Sequence, residues 1–205
     1  VGAGVFLFVS FPDSFKMSAE NEYDHNAGEE ESVGAGELNI QSIDLADCKE
    51  LEQPFPIQAS LCRKGVCVIM KDSPAKVSEL KISKTGKHGS SKANMVGYDV
   101  ITNRKYQETV PGHATMFSFE MKKFEYEVVD IVGNQITAMT ADGTEKFFQV
   151  PAEEHGQKLV ADFKANAEKN GDQYYIITVL YAPRMMGKKW MANMYVEAYK
   201  PGKVE

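Results

Sequence analysis

From Pro54 onward, the chain is a succession of short β-prone runs separated by clusters of turn residues. β-branched, aromatic and other apolar residues dominate these runs, which is typical of strands in a small β-sheet protein. The turns are rich in Gly, Pro, Asn and Asp, as in the Asp142-Gly143 pair. Strands are predicted at residues 66–70, 75–80, 93–101, 105–110, 125–132, 135–140, 145–150, 174–181 and 190–199. This arrangement predicts an all-β protein.

One segment departs from the strand pattern. Residues 153–169 carry Leu159, Val160 and Phe163 at helical spacing, and Gly171 follows them, which predicts a single short helix. It falls between the third and fourth strands of the second half of the chain. Five strands with one helix in that position are typical of an oligonucleotide/oligosaccharide-binding (OB) barrel.

The charges are segregated along the chain. Residues 17–53 carry eleven Asp and Glu against one Lys, whereas residues 54–205 carry seventeen acidic and twenty-one basic side chains. The overall net charge of −6 therefore conceals a body with a net charge of +4. A mildly basic body is compatible with a phosphate-rich partner, although many other proteins reach the same charge.

The composition predicts three regions. Residues 1–53 are expected to form a disordered acidic extension, because few bulky apolar residues precede Leu38. Residues 54–118 and 119–205 are expected to form one small barrel each. The apolar positions late in the extension favour a short docking segment and a solvated linker equally: Leu38, Ile40, Ile43, Leu45 and Leu51.

The first sixteen residues resemble neither a signal peptide nor a membrane span. Residues 1–16 lack a basic start and a small-residue cleavage site, and their apolar run is too short to cross a bilayer. We expect them to be upstream or non-native sequence ahead of Met17. No membrane association is expected.

The cysteines indicate neither disulfides nor a metal site. Cys48, Cys62 and Cys67 are odd in number and show no paired spacing of a zinc ribbon or a disulfide framework. We expect them to act as small hydrophobic residues in a reducing compartment, and we expect the protein to be cytoplasmic.

The most unusual stretch is a basic segment, KISKTGKHGSSK, at residues 81–92. It contains four lysines, one histidine and no acid. Gly86 and Gly89 bracket Lys87 and His88, so a tight turn would direct Lys87 outward. Two interpretations are open: a solvated hairpin tip that keeps a sheet edge soluble, or an exposed lysine with a function of its own.

The string SKTGKHG at residues 83–89, with Lys92 beyond it, resembles the eukaryotic translation initiation factor 5A family, whose bacterial relative is elongation factor P. The likeness covers roughly residues 54–182 and continues at these positions: Phe55-Pro56, Arg63-Lys64, Pro74 to Val77, Val96 to Asp99, Arg104 to Tyr106, Pro111, and Ile176 to Leu180. It implies an SH3-like N-terminal barrel followed by an OB-fold C-terminal barrel with one short helix. The chain departs from the family at Ser90-Ser91, at Asn94 and after Pro183.

The resemblance implies that Lys87 is the lysine converted to hypusine. In the family, deoxyhypusine synthase transfers an aminobutyl group from spermidine to this amine, and deoxyhypusine hydroxylase completes the residue. The rest of the loop would then bind tRNA, the ribosome and the modifying enzymes: Lys84, Thr85, Gly86, His88, Gly89 and Lys92. No catalytic residue, metal or other cofactor is implied, and the chain is not expected to be an enzyme.

The resemblance also implies the place of action. Family members bind the large ribosomal subunit near the exit site, where the modified lysine reaches toward peptidyl-tRNA. It steadies the tRNA so that stalling sequences such as consecutive prolines react. The protein supplies orientation and charge to a reaction that ribosomal RNA catalyses.

Two other functions compete with this one. The first is an RNA-binding barrel protein that uses the basic loop and the second domain without any modification. An enzyme with Lys87 as nucleophile is disfavoured, because a loop of glycines and serines offers little desolvation to lower the pKa of an amine. His113 is expected in a structural turn, and Trp190 is expected to pack at a barrel end in preference to stacking on a base.

Overall fold

The computed structural model describes residues 38–84, 89–169, 171 and 173–203. This part of the chain forms twelve strands and one α-helix, which confirms the all-β prediction with one short helix. The strands are β1 (Gln41–Asp44), β2 (Phe55–Gln58), β3 (Cys67–Met70), β4 (Ser73–Lys84), β5 (Ser91–Asp99), β6 (Lys105–Pro111), β7 (Thr115–Ser118), β8 (Lys122–Val132), β9 (Gln135–Met139), β10 (Glu145–Gln149), β11 (Gln173–Met186) and β12 (Lys189–Lys203). The helix is α1 (Glu154–Glu168).

The strands form two six-stranded antiparallel sheets. The first sheet has the order β2-β7-β3-β4-β5-β6, and the second has the order β1-β12-β11-β8-β9-β10. Helix α1 lies between β10 and β11, the position predicted from the sequence. Each sheet has its own apolar core, with Val68, Met70 and Met95 in the first and Ile136, Leu159 and Ile177 in the second. Among the described residues, no helix is long and apolar enough to cross a membrane.

In the first sheet, β4 and β5 form a long hairpin arm. Their register runs from Ala75 opposite Asp99 to Lys84 opposite Ser91, with a bulge after Val77. Gly97 allows the inner face to pack closely, because a Cβ there would lie 2.8 Å from the Met70 sulfur. One face of the arm therefore packs on the core and the other is open to solvent.

In the second sheet, β11 is longer than the predicted strand at 174–181. It pairs with β8 only as far as Tyr181, and beyond that point it pairs with β12 alone. Pro183 is tolerated there, because its missing N–H breaks no bond to β8. Gly187 turns the chain into β12 with a φ of +63°, a conformation that glycine adopts without strain.

Residues 38–53, which were predicted to belong to a disordered extension at residues 1–53, are ordered, and residues 1–37 of that extension lie outside the described residues. Strand β1 pairs with β12, and Leu45, Cys48 and Leu51 are buried in the core of the second sheet. The Asn39 side chain donates a hydrogen bond of 2.7 Å to the carbonyl oxygen of Val150. The apolar residues of this segment therefore form a docking segment and not a solvated linker. They pack on core residues that lie far away in the sequence.

The two sheets meet at the end of the β11–β12 hairpin. The Trp190 ring lies edge-on to the Phe117 ring, with a centroid distance of 5.3 Å. The amide of Met185 donates a 3.1 Å hydrogen bond to the carbonyl oxygen of Asp72, and Ile69, Phe119 and Ala182 form a small buried cluster nearby. Trp190 therefore packs where the sheets join, in line with the expected packing role.

Candidate functional site

The hairpin arm carries the basic segment. Its strands are in register up to Ser83 opposite Lys92 and Lys84 opposite Ser91. Lys84 and Lys92 are exposed, and Gly89 is half-buried. The other predicted site residues, Thr85, Gly86, Lys87 and His88, lie outside the described residues.

The base of the loop is held by the end of β6. Lys92 lies opposite Pro111, and the amide of Gly112 donates a 2.7 Å hydrogen bond to the carbonyl oxygen of Ser91. A Cβ at Gly112 would overlap the Ser91 side-chain oxygen and lie 3.3 Å from the Ser91 carbonyl oxygen, so this close approach favours glycine. The strand that leaves the loop is thus fixed at its first residue.

A network of polar side chains centred on Asn94 links the strands of the arm, two residues beyond Lys92 on β5. The Asn94 side-chain amide donates hydrogen bonds to the Lys81 carbonyl oxygen at 3.4 Å and to the Ser83 hydroxyl at 3.3 Å. The Thr109 hydroxyl donates to the Asn94 side-chain oxygen at 2.8 Å. Asn94, which departs from the family pattern, therefore links all three strands below the loop. Thr109 could not be predicted as part of this network, because only strand register brings it beside Asn94.

Three lysines lie near the outer end of the arm: Lys81, Lys84 and Lys92. The hydrogen bond from Lys81 to Glu79, with an N–O distance of 2.9 Å, raises the pKa of the Lys81 amine. Within the described ranges, Lys84 and Lys92 form no ion pair with a carboxylate. The strands next to the loop therefore carry lysines that are available to phosphates or to acidic protein surfaces.

The outer end of the hairpin arm is exposed from Lys81 to Lys84 on β4. Two grooves of about 450 and 580 Å³ are lined by residues other than those of β4 and β5. Among the residues that the structure describes, no group of three or more His, Cys, Asp or Glu side chains is placed to hold a metal ion. A projecting arm is suited to entering a pocket on another molecule.

Other residues singled out in the sequence have structural settings. His113 is exposed in a turn closed by the Ala114 amide, which donates a 2.9 Å hydrogen bond to the Pro111 carbonyl oxygen. At the start of α1, the Tyr195 hydroxyl donates to the Glu153 carboxylate, and His155 Nε2 lies 3.0 Å from the carbonyl oxygen of Val196. These contacts attach the helix to β12.

The chain is similar to known proteins across both sheets. The family described as "Translation initiation factor 5A-like, N-terminal" matches residues 52–114. Eukaryotic translation initiation factor 5A-2 of Schizosaccharomyces pombe is 35% identical over 129 residues, which are 62% of this chain and 73% of that protein. Eukaryotic translation initiation factor 5A of Drosophila melanogaster is 34% identical over 116 residues, covering 56% of this chain and 73% of the relative.

A solved structure shows the same fold. The translation initiation factor eif-5a family protein of Naegleria fowleri superimposes with a TM-score of 0.57 and 31% sequence identity. The match covers 73% of this chain and 99% of that one. The likeness therefore extends well beyond the loop sequence.

Proposed function

The chain belongs to the eukaryotic translation initiation factor 5A family, and on this basis we propose that it acts in translation through a hypusine formed on Lys87. It is a translation factor and not an enzyme, as are the relatives that it matches. The hypusine is derived from spermidine, through deoxyhypusine synthase and deoxyhypusine hydroxylase. No other cofactor takes part.

The observation that supports the proposal most is the braced hairpin arm beneath the loop. Six residues, 85–90, join the paired ends of β4 and β5, and Lys87 is among them. The contact between Gly112 and Ser91 and the network around Asn94 hold the two strands that flank these residues. A lysine between glycines on a stiff support is well suited to entering the narrow active site of a modifying enzyme.

The chemical value of the modification is reach combined with charge. An aminobutyl extension lengthens the Lys87 side chain and adds a second cationic nitrogen, which neither lysine nor arginine supplies. On the large ribosomal subunit near the exit site, this arm would contact the acceptor end of peptidyl-tRNA. Restricting the motion of the tRNA favours peptide-bond formation at stalling sequences such as polyproline.

The rest of the loop has a supporting part in this proposal. Lys84 and Lys92 carry positive charges and His88 offers an imidazole N–H, which suit phosphates of tRNA and ribosomal RNA, while Thr85, Gly86 and Gly89 would be contacted by the modifying enzymes. The protein would act in the cytoplasm, where ribosomes and both enzymes are found.

The test is intact and peptide mass spectrometry of the protein purified from its native cell. We expect the peptide that contains Lys87 to carry the mass of an aminobutyl group plus one oxygen. The peptide that contains Lys164, an exposed lysine on α1, serves as the internal control and should be unmodified. An unmodified Lys87 in all molecules would overturn the proposal and favour an RNA-binding protein that acts without modification.

A further inference from the structure

The outer face of the hairpin arm continues across β6 as an open, positively charged surface. We call it the β4–β6 face and define it by Lys76, Glu79 and Lys81 on β4, Lys92 and Tyr98 on β5, and Lys105 on β6. These side chains share one side of the sheet, because strand residues two apart point the same way and cross-strand partners point together. Buried residues alternate with them on β5, namely Ala93, Met95, Gly97 and Asp99.

An exposed aromatic ring lies between two lysines on this face. Lys76 and Lys105 are the cross-strand partners of Tyr98 on its two sides. Tyr98 is 40% exposed, and both lysines are exposed. Because directly opposite Cβ atoms lie about 5 Å apart, both ammonium groups can reach ligands bound over the ring.

The charge of the β4–β6 face is nearly all positive. Its carboxylate, Glu79, is already engaged by Lys81 at 2.9 Å. In the part of the chain that the structure describes, Lys76, Lys92 and Lys105 form no ion pair. The distance along β5 from Tyr98 to Lys92 is about 20 Å at about 3.3 Å per residue. The face therefore carries exposed lysines at both ends, with Lys76 and Lys105 beside Tyr98 and Lys92 next to the loop.

We propose that the β4–β6 face binds single-stranded RNA, with an unpaired base stacked on Tyr98 and the flanking phosphates held by Lys76 and Lys105. Aromatic side chains that stack on bases, together with lysines that follow the backbone, are the usual elements of single-strand binding. A polyglutamate peptide would satisfy the lysines, but it has no aromatic ring to stack on the open ring of Tyr98. The proposal rests on the proposed function in that the chain works beside RNA, yet it requires no modification of Lys87.

The experiment measures binding of a short, fluorescently labelled single-stranded RNA to unmodified full-length protein by fluorescence anisotropy at several salt concentrations. We expect Tyr98→Ala to weaken binding about tenfold, since stacking of one base contributes about 1–3 kcal/mol. Tyr98→Phe should bind like the parent protein, because it keeps the ring. Lys76→Ala combined with Lys105→Ala should lower the slope of log affinity against log salt by about 1.4, for two phosphate contacts on a single strand.

Matched controls come from the second sheet and its helix. Phe147→Ala removes an aromatic ring that is 50% exposed, and Lys49→Ala with Lys164→Ala removes two exposed lysines elsewhere. These controls should leave the affinity and the salt slope within twofold of the parent values. Circular dichroism and thermal unfolding show whether each variant keeps its fold.

Three results would overturn the proposal. Binding by Tyr98→Ala equal to that of the parent protein, an equal effect of the control variants, or equally tight binding of a polyglutamate peptide each contradicts it. The outcome is separate from that of the proposed function, because mass spectrometry at Lys87 tests the modification and the anisotropy measurement does not depend on it.

Discussion

The ammonium group of Lys146 on β10 lies 2.7 Å from the carboxylate of Glu50, a residue that precedes the whole first sheet in the sequence. The two side chains are 33% and 16% exposed. In chain order, β1 belongs to the second sheet, β2 to β7 form the first sheet, and β8 to β12 complete the second sheet. Residues 38–53 are an integral part of the second core.

Leu45→Ala should destabilise the protein. Leu45 is only 2% exposed and packs in the second core, so truncation leaves a cavity and lowers the free energy of unfolding by about 2–4 kcal/mol. Urea denaturation followed by circular dichroism measures the change. Leu61→Ala is the matched control, because Leu61 is 50% exposed and its truncation should cost about 0.5 kcal/mol or less. Equal stability of the two variants would contradict the docking of this segment.

Glu50→Gln should show a pH-dependent loss of stability. Burial raises the pKa of Glu50, but the hydrogen bond from Lys146 and further favourable contacts lower it by more, so its pKa lies below the ordinary 4.5. A carboxyl whose pKa is depressed by folding stabilises the protein above that ordinary value, and the contribution is lost as the pH falls through the folded-state pKa. We expect Glu50→Gln to cost about 1–2 kcal/mol at pH 7 and much less at pH 3.

The measurement for Glu50→Gln is the free energy of unfolding in urea at several pH values between 3 and 7. Glu125→Gln provides the control, since the ion pair between Glu125 and Lys200 is about half exposed on both sides and should contribute little. A loss that stays constant with pH would mean that the ion pair has no part in it.

The losses of stability caused by removing the two buried hydroxyls of the second core should be strongly coupled. The hydroxyl oxygens of Tyr126 and Tyr181 lie 2.9 Å apart, and both side chains are buried. Either Tyr→Phe change removes one partner and leaves the other hydroxyl unsatisfied, which costs about 1–3 kcal/mol. The double variant should therefore lose less stability than the sum of the two single variants. A double-mutant cycle from urea denaturation measures the coupling, and simple additivity would show that the hydroxyls act independently.

Lys87→Arg should abolish function without loss of stability. Arginine keeps the charge, but it offers no primary amine to receive the aminobutyl group. Purified deoxyhypusine synthase with labelled spermidine should label the parent protein and leave Lys87→Arg unlabelled, while Lys164→Arg on α1 should label normally. Cells that carry only Lys87→Arg should fail to grow or to translate a polyproline reporter. Normal translation in such cells would contradict a role for the modification.

Most strands were predictable because each has a strong local pattern. The runs at 93–101, 105–110 and 135–140 correspond closely to β5, β6 and β9, since half-buried strands alternate between core and solvent. Strands β1, β2 and β7 were not predicted. Strand β2 is mostly exposed, so it lacks the apolar alternation that predicts a strand.

The segment at 38–53 was ambiguous for a different reason. Its average composition is acidic, and its buried positions, Leu45, Cys48 and Leu51, are too few to indicate a core element by themselves. Their partners lie on strands about 80–150 residues later in the sequence, and no local pattern reveals such pairing. For the loop, the family resemblance supplied Lys87, whereas the supporting roles of Asn94, Thr109 and Gly112 depend on strand register.

Trp190 is the one tryptophan in the chain, and it packs against Phe117 where the two sheets join. Its emission is therefore an intrinsic optical reporter for this join, with no label required. Because an indole released into water emits at longer wavelength, separation of the sheets would give a red shift even if both sheets stayed folded. Thermal opening of this join can be followed through this one signal.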